Sequence, residues 1–222
     1  MGNKDEQDLR FLQLRFIGKI LAGFTHEIKN HLAIVKESAG LMDDMIKMAK
    51  SDKIDSRQYL DIIHLIEEQV GKSIEHFTYL NRFAHRMDLP LTKVNVNDCM
   101  EELIVLLHRF ANQKRISFEK EFQKDPQTIN SNPSMIQFLV FNFLEELLTT
   151  LDKNSRILIK TETLNGSVAI RIIPKGNILD TGTGEALCSQ EIIDYVLAML
   201  GGTLSKQKDG GEAVITIPVA AS

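Results

Sequence analysis

The residues Phe24-Thr25-His26-Glu27-Ile28-Lys29-Asn30 put an imidazole, a carboxylate and an amide within little more than one helical turn. An imidazole is a nucleophile at neutral pH, and a carboxylate beside it can hydrogen-bond one ring nitrogen, fix the tautomer and leave the other free to attack phosphorus. Asn30 lies four residues after His26 and so shares its face, where its amide can orient a water for in-line attack on a phosphoryl group. Zinc chemistry of the H-E-x-x-H type is excluded by spacing, because the next histidine is His31, one residue too late. The bland alternative is a polar surface patch holding an ordinary histidine.

These residues need a helix to display them. From about Asp8 to Lys50 there is no proline, and Leu14, Ile17, Leu21, Phe24, Ile28, Leu32 and Val35 recur in steps of three or four, an apolar seam on a helix. At about 100° per residue, His26 sits about 200° from Phe24 and is expected to face solvent. Ser51 to Ser56 offers a turn with Asp55 or Ser56 as N-cap. A second seam follows at Tyr59, Ile62 or Ile63, Ile66, Val70, Ile74, Phe77, Leu80 and Ala84, stopped by Leu89-Pro90. Two such helices form an antiparallel hairpin with little to bury both seams against before residue 90, so a homodimer with a four-helix bundle is expected.

Past Pro90 the pattern changes. Thr92 to Val96 reads as a strand, Asn97 or Asp98 as the cap of a helix to about Gln113, and Ile116 to Phe122 as a strand. Asn132-Pro133-Ser134 opens an apolar helix through Leu151. Strands over Arg156 to Glu162 and Ser167 to Ile173 flank the turn Leu164-Asn165-Gly166. A helix from about Glu185 to Leu200 ends at Gly201-Gly202, and Thr203 to Lys206 with Ala213 to Val219 closes a hairpin turned at Asp209-Gly210-Gly211. The expected class is α+β: a helical hairpin over residues 1–90, then an α/β sandwich over 91–222 with a mixed sheet under three helices.

The 222 residues are 43% hydrophobic and 25% charged, an ordinary globular composition with room for a sizeable core. A net charge of −4 and no Lys/Arg run argue against a nucleic-acid partner. Cys99 and Cys188 lie far apart without metal-ligand spacing and read as reduced structural thiols. The polar N-terminus and short apolar runs predict no signal peptide and no membrane insertion, hence a cytoplasmic protein. The methionines, including Met42, Met45 and Met48, fall at helical spacing and read as bundle core.

The hairpin resembles the dimerisation and phosphoacceptor domain of sensor histidine kinases, whose H-box reads H-E-[IL]-[KR]-N; His26-Glu27-Ile28-Lys29-Asn30 matches it residue by residue. The resemblance implies His26 as phosphoacceptor, Glu27 as acid/base partner and Asn30 as the residue associated with dephosphorylating a receiver. His31 stands where the family usually has a proline that kinks the helix. The remainder is similar to the family's ATP-binding domain. Met135 to Leu144 resembles the run into the N-box, Thr181 to Leu187 the second glycine box, and Leu200 to Leu204 the last helix and strand.

The resemblance also marks what a nucleotide site would use: Asn142 with Glu146, or with a one-residue shift Glu145, in place of the magnesium-holding asparagine, and Asp180, Gly182 and Gly184 in the glycine segment. A carboxylate there adds negative charge where triphosphate must sit. Only Pro174 to Leu179 separates the preceding strand from the glycine segment, which leaves no room for a nucleotide lid. Gly182 and Gly184 read more simply as a tight helix-entry loop. The expectation is a histidine phosphotransferase without a nucleotide cofactor, exchanging phosphate between His26 and the aspartate of response-regulator receiver domains. One alternative is an active soluble kinase that uses ATP and magnesium. Another is a non-catalytic scaffold or phosphatase that captures a response regulator.

Overall fold

The computed structural model describes residues 3–48, 56–88, 90–179, 188–206 and 211–219. Helix α1 spans Asn3–Met48 and α2 spans Ser56–His85. With 46 residues and a rise of about 1.5 Å each, α1 is about 70 Å long. It runs unbroken through His31, where a backbone N–H remains to continue the hydrogen-bond ladder that proline would interrupt. The expected turn and the cap at Asp55 lie outside the described residues.

Strand β1 (Thr92–Val94) is followed by α3 (Val96–Lys114), β2 (Ser117–Phe122), β3 (Ile129–Ser131) and α4 (Pro133–Thr150). The hairpin β4 (Arg156–Leu164) and β5 (Ser167–Lys175), helix α5 (Gln190–Leu200), and strands β6 (Thr203–Lys206) and β7 (Ala213–Pro218) complete it. The main sheet has the order β2-β4-β5-β7-β6, with β2 parallel to β4 and every other pairing antiparallel. Strands β1 and β3 form a separate antiparallel pair. This is the expected mixed sheet with three helices.

Local chemistry explains most boundaries, and three differ from expectation. The cap of α3 is Asn95, whose side-chain oxygen accepts from Asn97 N–H at 2.9 Å, so neither Asn97 nor Asp98 caps it. Strand β3 was not foreseen, because three residues without alternation gain strand character only by pairing with β1. Helix α5 begins at Gln190 rather than Glu185, with Cys188 and Ser189 outside the helix. Asn132 caps α4, accepting from Met135 N–H at 3.1 Å, with Pro133 in the first turn, as expected. Gly201 takes the left-handed conformation (φ 60°) that ends α5.

The seam on α1 is corrected in part. Of its seven residues only Phe24 is buried, whereas Leu14 is 69% exposed and Leu21 and Leu32 also face outward. The buried stripe runs instead through Leu9, Phe16, Ile20, Phe24 and His31. Two adjacent apolar faces therefore share α1, one covered within the chain and one not. On α2, Ile63, Val70, Ile74 and Phe77 are likewise exposed, while Ile62 and Phe83 are buried.

The hairpin also has more to pack against than its own sequence suggests. Phe16 meets Phe83 of α2 and both Phe138 and Phe141 of α4, at ring-centroid distances of 5.3, 6.1 and 4.5 Å. One buried cluster thus runs from α1 and α2 into the sandwich. No helix among the described residues is long and apolar enough to cross a membrane.

Candidate functional site

His26 and Asn30 are exposed on one face of α1, and Glu27 beside them is half-buried. Helical geometry turns Glu27 about 100° from His26 toward the flank that meets α2. Among the described residues no hydrogen bond joins Glu27 to His26, so the carboxylate must swing to reach the ring.

The turns around His26 are held from three sides. Phe24, two residues before it, packs edge-on against Phe77 of α2 at 4.9 Å. Gly23 lies under α3, where a Cβ would come within 2.7 Å of the Phe110 ring. The Thr25 hydroxyl donates to the Leu21 carbonyl at 2.7 Å, inside the helix.

One turn further on, His31 is buried between α1 and α2. Its Nδ1 lies 3.2 Å from Ser73 Oγ, and that hydroxyl already donates its only hydrogen to the Gln69 carbonyl at 2.9 Å. Ser73 can then only accept, so His31 carries its proton on Nδ1. His76 is fixed alike, with Nδ1 2.9 Å from the Lys72 carbonyl, and its ring stands edge-on to His31 at 5.3 Å. Burial, followed by His76 and Lys72, pushes the His31 pKa below its ordinary value, against an opposing pull from Glu27.

The residues expected at a nucleotide site are not gathered with these. Asn142 is buried, and its amide nitrogen donates to the Phe138 carbonyl of its own helix at 2.7 Å. Glu146 faces a cleft of about 150 Å³ lined by Phe143, Thr150, Ile172, Ile178 and Lys206 among others. Small-molecule pockets typically enclose about 300–1,000 Å³. Ile178 is brought there by the segment after β5, which pairs back onto the end of α4: Leu179 N–H donates to the Thr150 carbonyl at 2.7 Å and Asp152 N–H to the Asn177 carbonyl at 3.1 Å.

Glu145, the alternative magnesium position, turns about 100° away from that cleft. It is 3% exposed, and its Oε1 takes Arg15 Nη2 at 3.1 Å and Lys19 Nζ at 2.5 Å, both from α1. Asp180, Gly182 and Gly184 lie outside the described residues. Among the described residues no three His, Cys, Asp or Glu side chains gather as metal ligands. Asn142 and Glu146 line a second small cleft together, with Gln190 and Lys206.

Sequence reasoning missed two buried polar networks. One is Glu145 with its two cations. The other joins the turn after α2 to α3 and α4: Glu102, 1% exposed, accepts from Arg86 Nε at 3.2 Å, Arg86 Nη2 at 2.9 Å and Gln137 Nε2 at 2.8 Å. Hydrogen bonding to Glu102 raises the Arg86 pKa. The only sequence signal was a charged residue inside an apolar helical face, which names no partner.

No family model matches the chain, and no curated protein matches it. Solved structures do. The catalytic domain of the histidine kinase ThkA, in two nucleotide-free forms, superposes with TM-scores of 0.51 and 0.52 at 17% and 16% identity, covering 60% of this chain and 100% of that domain. Full-length ShkA in complex with AMPPNP matches with a TM-score of 0.51 at 16% identity, over 97% of this chain and 46% of that one. The fold is that of a histidine-kinase-like core, a catalytic-domain sandwich preceded by a long helical region.

Proposed function

We propose that this is a two-component signalling protein in which His26 accepts a phosphoryl group from the aspartate of a response-regulator receiver domain and passes it to another. The main support is the run His26-Glu27-Ile28-Lys29-Asn30, with His26 and Asn30 exposed, on a long helix attached to a histidine-kinase-like sandwich. In the forward step a ring nitrogen of His26 attacks phosphorus in line. The N–P bond forms as the P–O bond to aspartate breaks, and the aspartate leaves as a carboxylate. Glu27 offsets the charge on the ring, the receiver brings its own magnesium, and transfer to a second aspartate is the reverse reaction. Asn30, on the same face, orients water when phosphate is lost instead of passed on.

An outside phosphate donor is favoured over ATP because Glu145 is engaged by Arg15 and Lys19, Asn142 bonds its own helix, and the cleft at Glu146 is small. A homodimer fits the uncovered apolar faces of α1 and α2, where Leu14, Leu21, Leu32, Val70, Ile74 and Phe77 would complete a four-helix bundle in the cytoplasm. The test is to offer wild type and His26→Gln either a radiolabelled phosphoreceiver or labelled ATP with magnesium. Acid-labile label from the receiver on wild type alone supports phosphotransfer. Label from ATP on wild type, absent from His26→Gln, would make the protein an autokinase, and receiver capture undiminished in His26→Gln without label on either protein would make it a scaffold.

A further inference from the structure

Two adjacent carboxylates on α4 do opposite jobs. Glu146 faces the sheet-side cleft, whereas Glu145, about 100° around the helix, is driven into the contact with α1. A carboxylate 3% exposed is costly to bury unless paired, and here one oxygen receives both Arg15 and Lys19. These cations are four residues apart, hence on one face, and Phe16 beside them enters the aromatic cluster with Phe138 and Phe141. Lys19 Nζ also lies 5.1 Å over the Phe110 ring of α3, and Gly23 completes the seam under that ring three residues before His26.

We propose that Glu145 is the anchor that holds the sandwich on α1 in one orientation. Swinging the sandwich away would separate the ion pairs and bring Phe16, Phe138 and Phe141 into water. His26 is then presented beside a fixed wall formed by α3, whatever partner it meets.

The test places spin labels at exposed sites of the full chain, Glu37→Cys on α1 and Lys153→Cys in the sandwich, and measures the distance distribution between them. With each labelled chain diluted into unlabelled protein, so that a dimer holds one labelled copy, the background protein is expected to give one narrow peak. Glu145→Gln, which leaves no buried charge behind, and Arg15→Gln with Lys19→Gln are each expected to spread the peak. Lys19→Glu with Glu145→Lys, which restores the pair with its signs exchanged, is expected to narrow it again. Thermal melting confirms that each variant is folded. An unchanged peak in both anchor-breaking variants would overturn the proposal. The readout needs no phosphate chemistry, so it stands apart from the fate of the phosphotransfer reading.

Discussion

Truncating Phe16 measures how firmly the hairpin and the sandwich share one core. The side chain is 3% exposed and touches three rings on two other helices. Replacing a buried phenylalanine by alanine removes its transfer energy and leaves a cavity, about 3–5 kcal/mol together. Aromatic pairs contribute about 0.5–1.5 kcal/mol each beyond area, and with three pairs Phe16→Ala belongs no lower than the middle of that range, at about 4 kcal/mol. That is a large share of a domain stability of about 5–15 kcal/mol. With a urea slope of about 2 kcal/mol per molar, the midpoint should fall by about 2 M. Phe16→Leu keeps most of the apolar burial but loses the ring geometry and should cost about 1–2 kcal/mol. Urea titration by circular dichroism reads the midpoint, and amide exchange at Phe138, Phe141 and Glu145 shows whether α4 loses protection with it. A midpoint lowered by less than about 0.5 M in Phe16→Ala would mean that α4 does not cover Phe16 in solution, and the shared core would be refuted.

Arg86→Met leaves Glu102 buried with Gln137 alone and should cost about 3–5 kcal/mol in the same titration, while adding Glu102→Leu should recover most of it; a single-variant loss under about 1 kcal/mol would contradict the buried pair. His31 has a pKa below its ordinary 6.5 in the folded chain, so the unfolded chain takes up the proton first as pH falls. Stability is then unaffected by this group above about pH 6.5 and declines as pH drops from there to the folded pKa, and His31→Gln should flatten that part of a melting curve taken from pH 7.5 to 5.5. Burial is the main cause, His76 and Lys72 on α2 add to it, and Glu27 on α1 opposes it. Burial pushes the Cys99 thiol up to about 12 and Cys188 up to about 11, so both should resist iodoacetamide at pH 8 in the native chain and react readily in urea. Fast labelling of the native protein would count against that burial.

Much of this protein is local chemistry and therefore legible in the chain itself. Apolar spacing dictated the two long helices, Asn132-Pro133 opened α4, and Gly201 closed α5, because caps and left-handed ends depend on single residues. The exposure of His26 followed from the same periodicity, since a residue on the far side of both apolar faces has nowhere to go but water. The H-E-I-K-N run and the order of strands and helices were enough to suggest a histidine-kinase-like fold. Which of two adjacent apolar faces of α1 turns inward was a different matter. Leu14, Leu21 and Leu32 are no less apolar than Phe16 and Ile20, and only the docking of α2, α3 and α4 selects the second set. Strand β3 likewise exists because β1 lies beside it. The partners of Glu145, Glu102 and His31 are separated from them by 126 or more, 16 or more and 42 residues, distances at which helical spacing carries no information. Whether a buried carboxylate waits for a metal or is neutralised by arginine and lysine is settled by what the fold brings within 4 Å of it, because charge in a low-dielectric interior is stable only where an opposite charge is already in place.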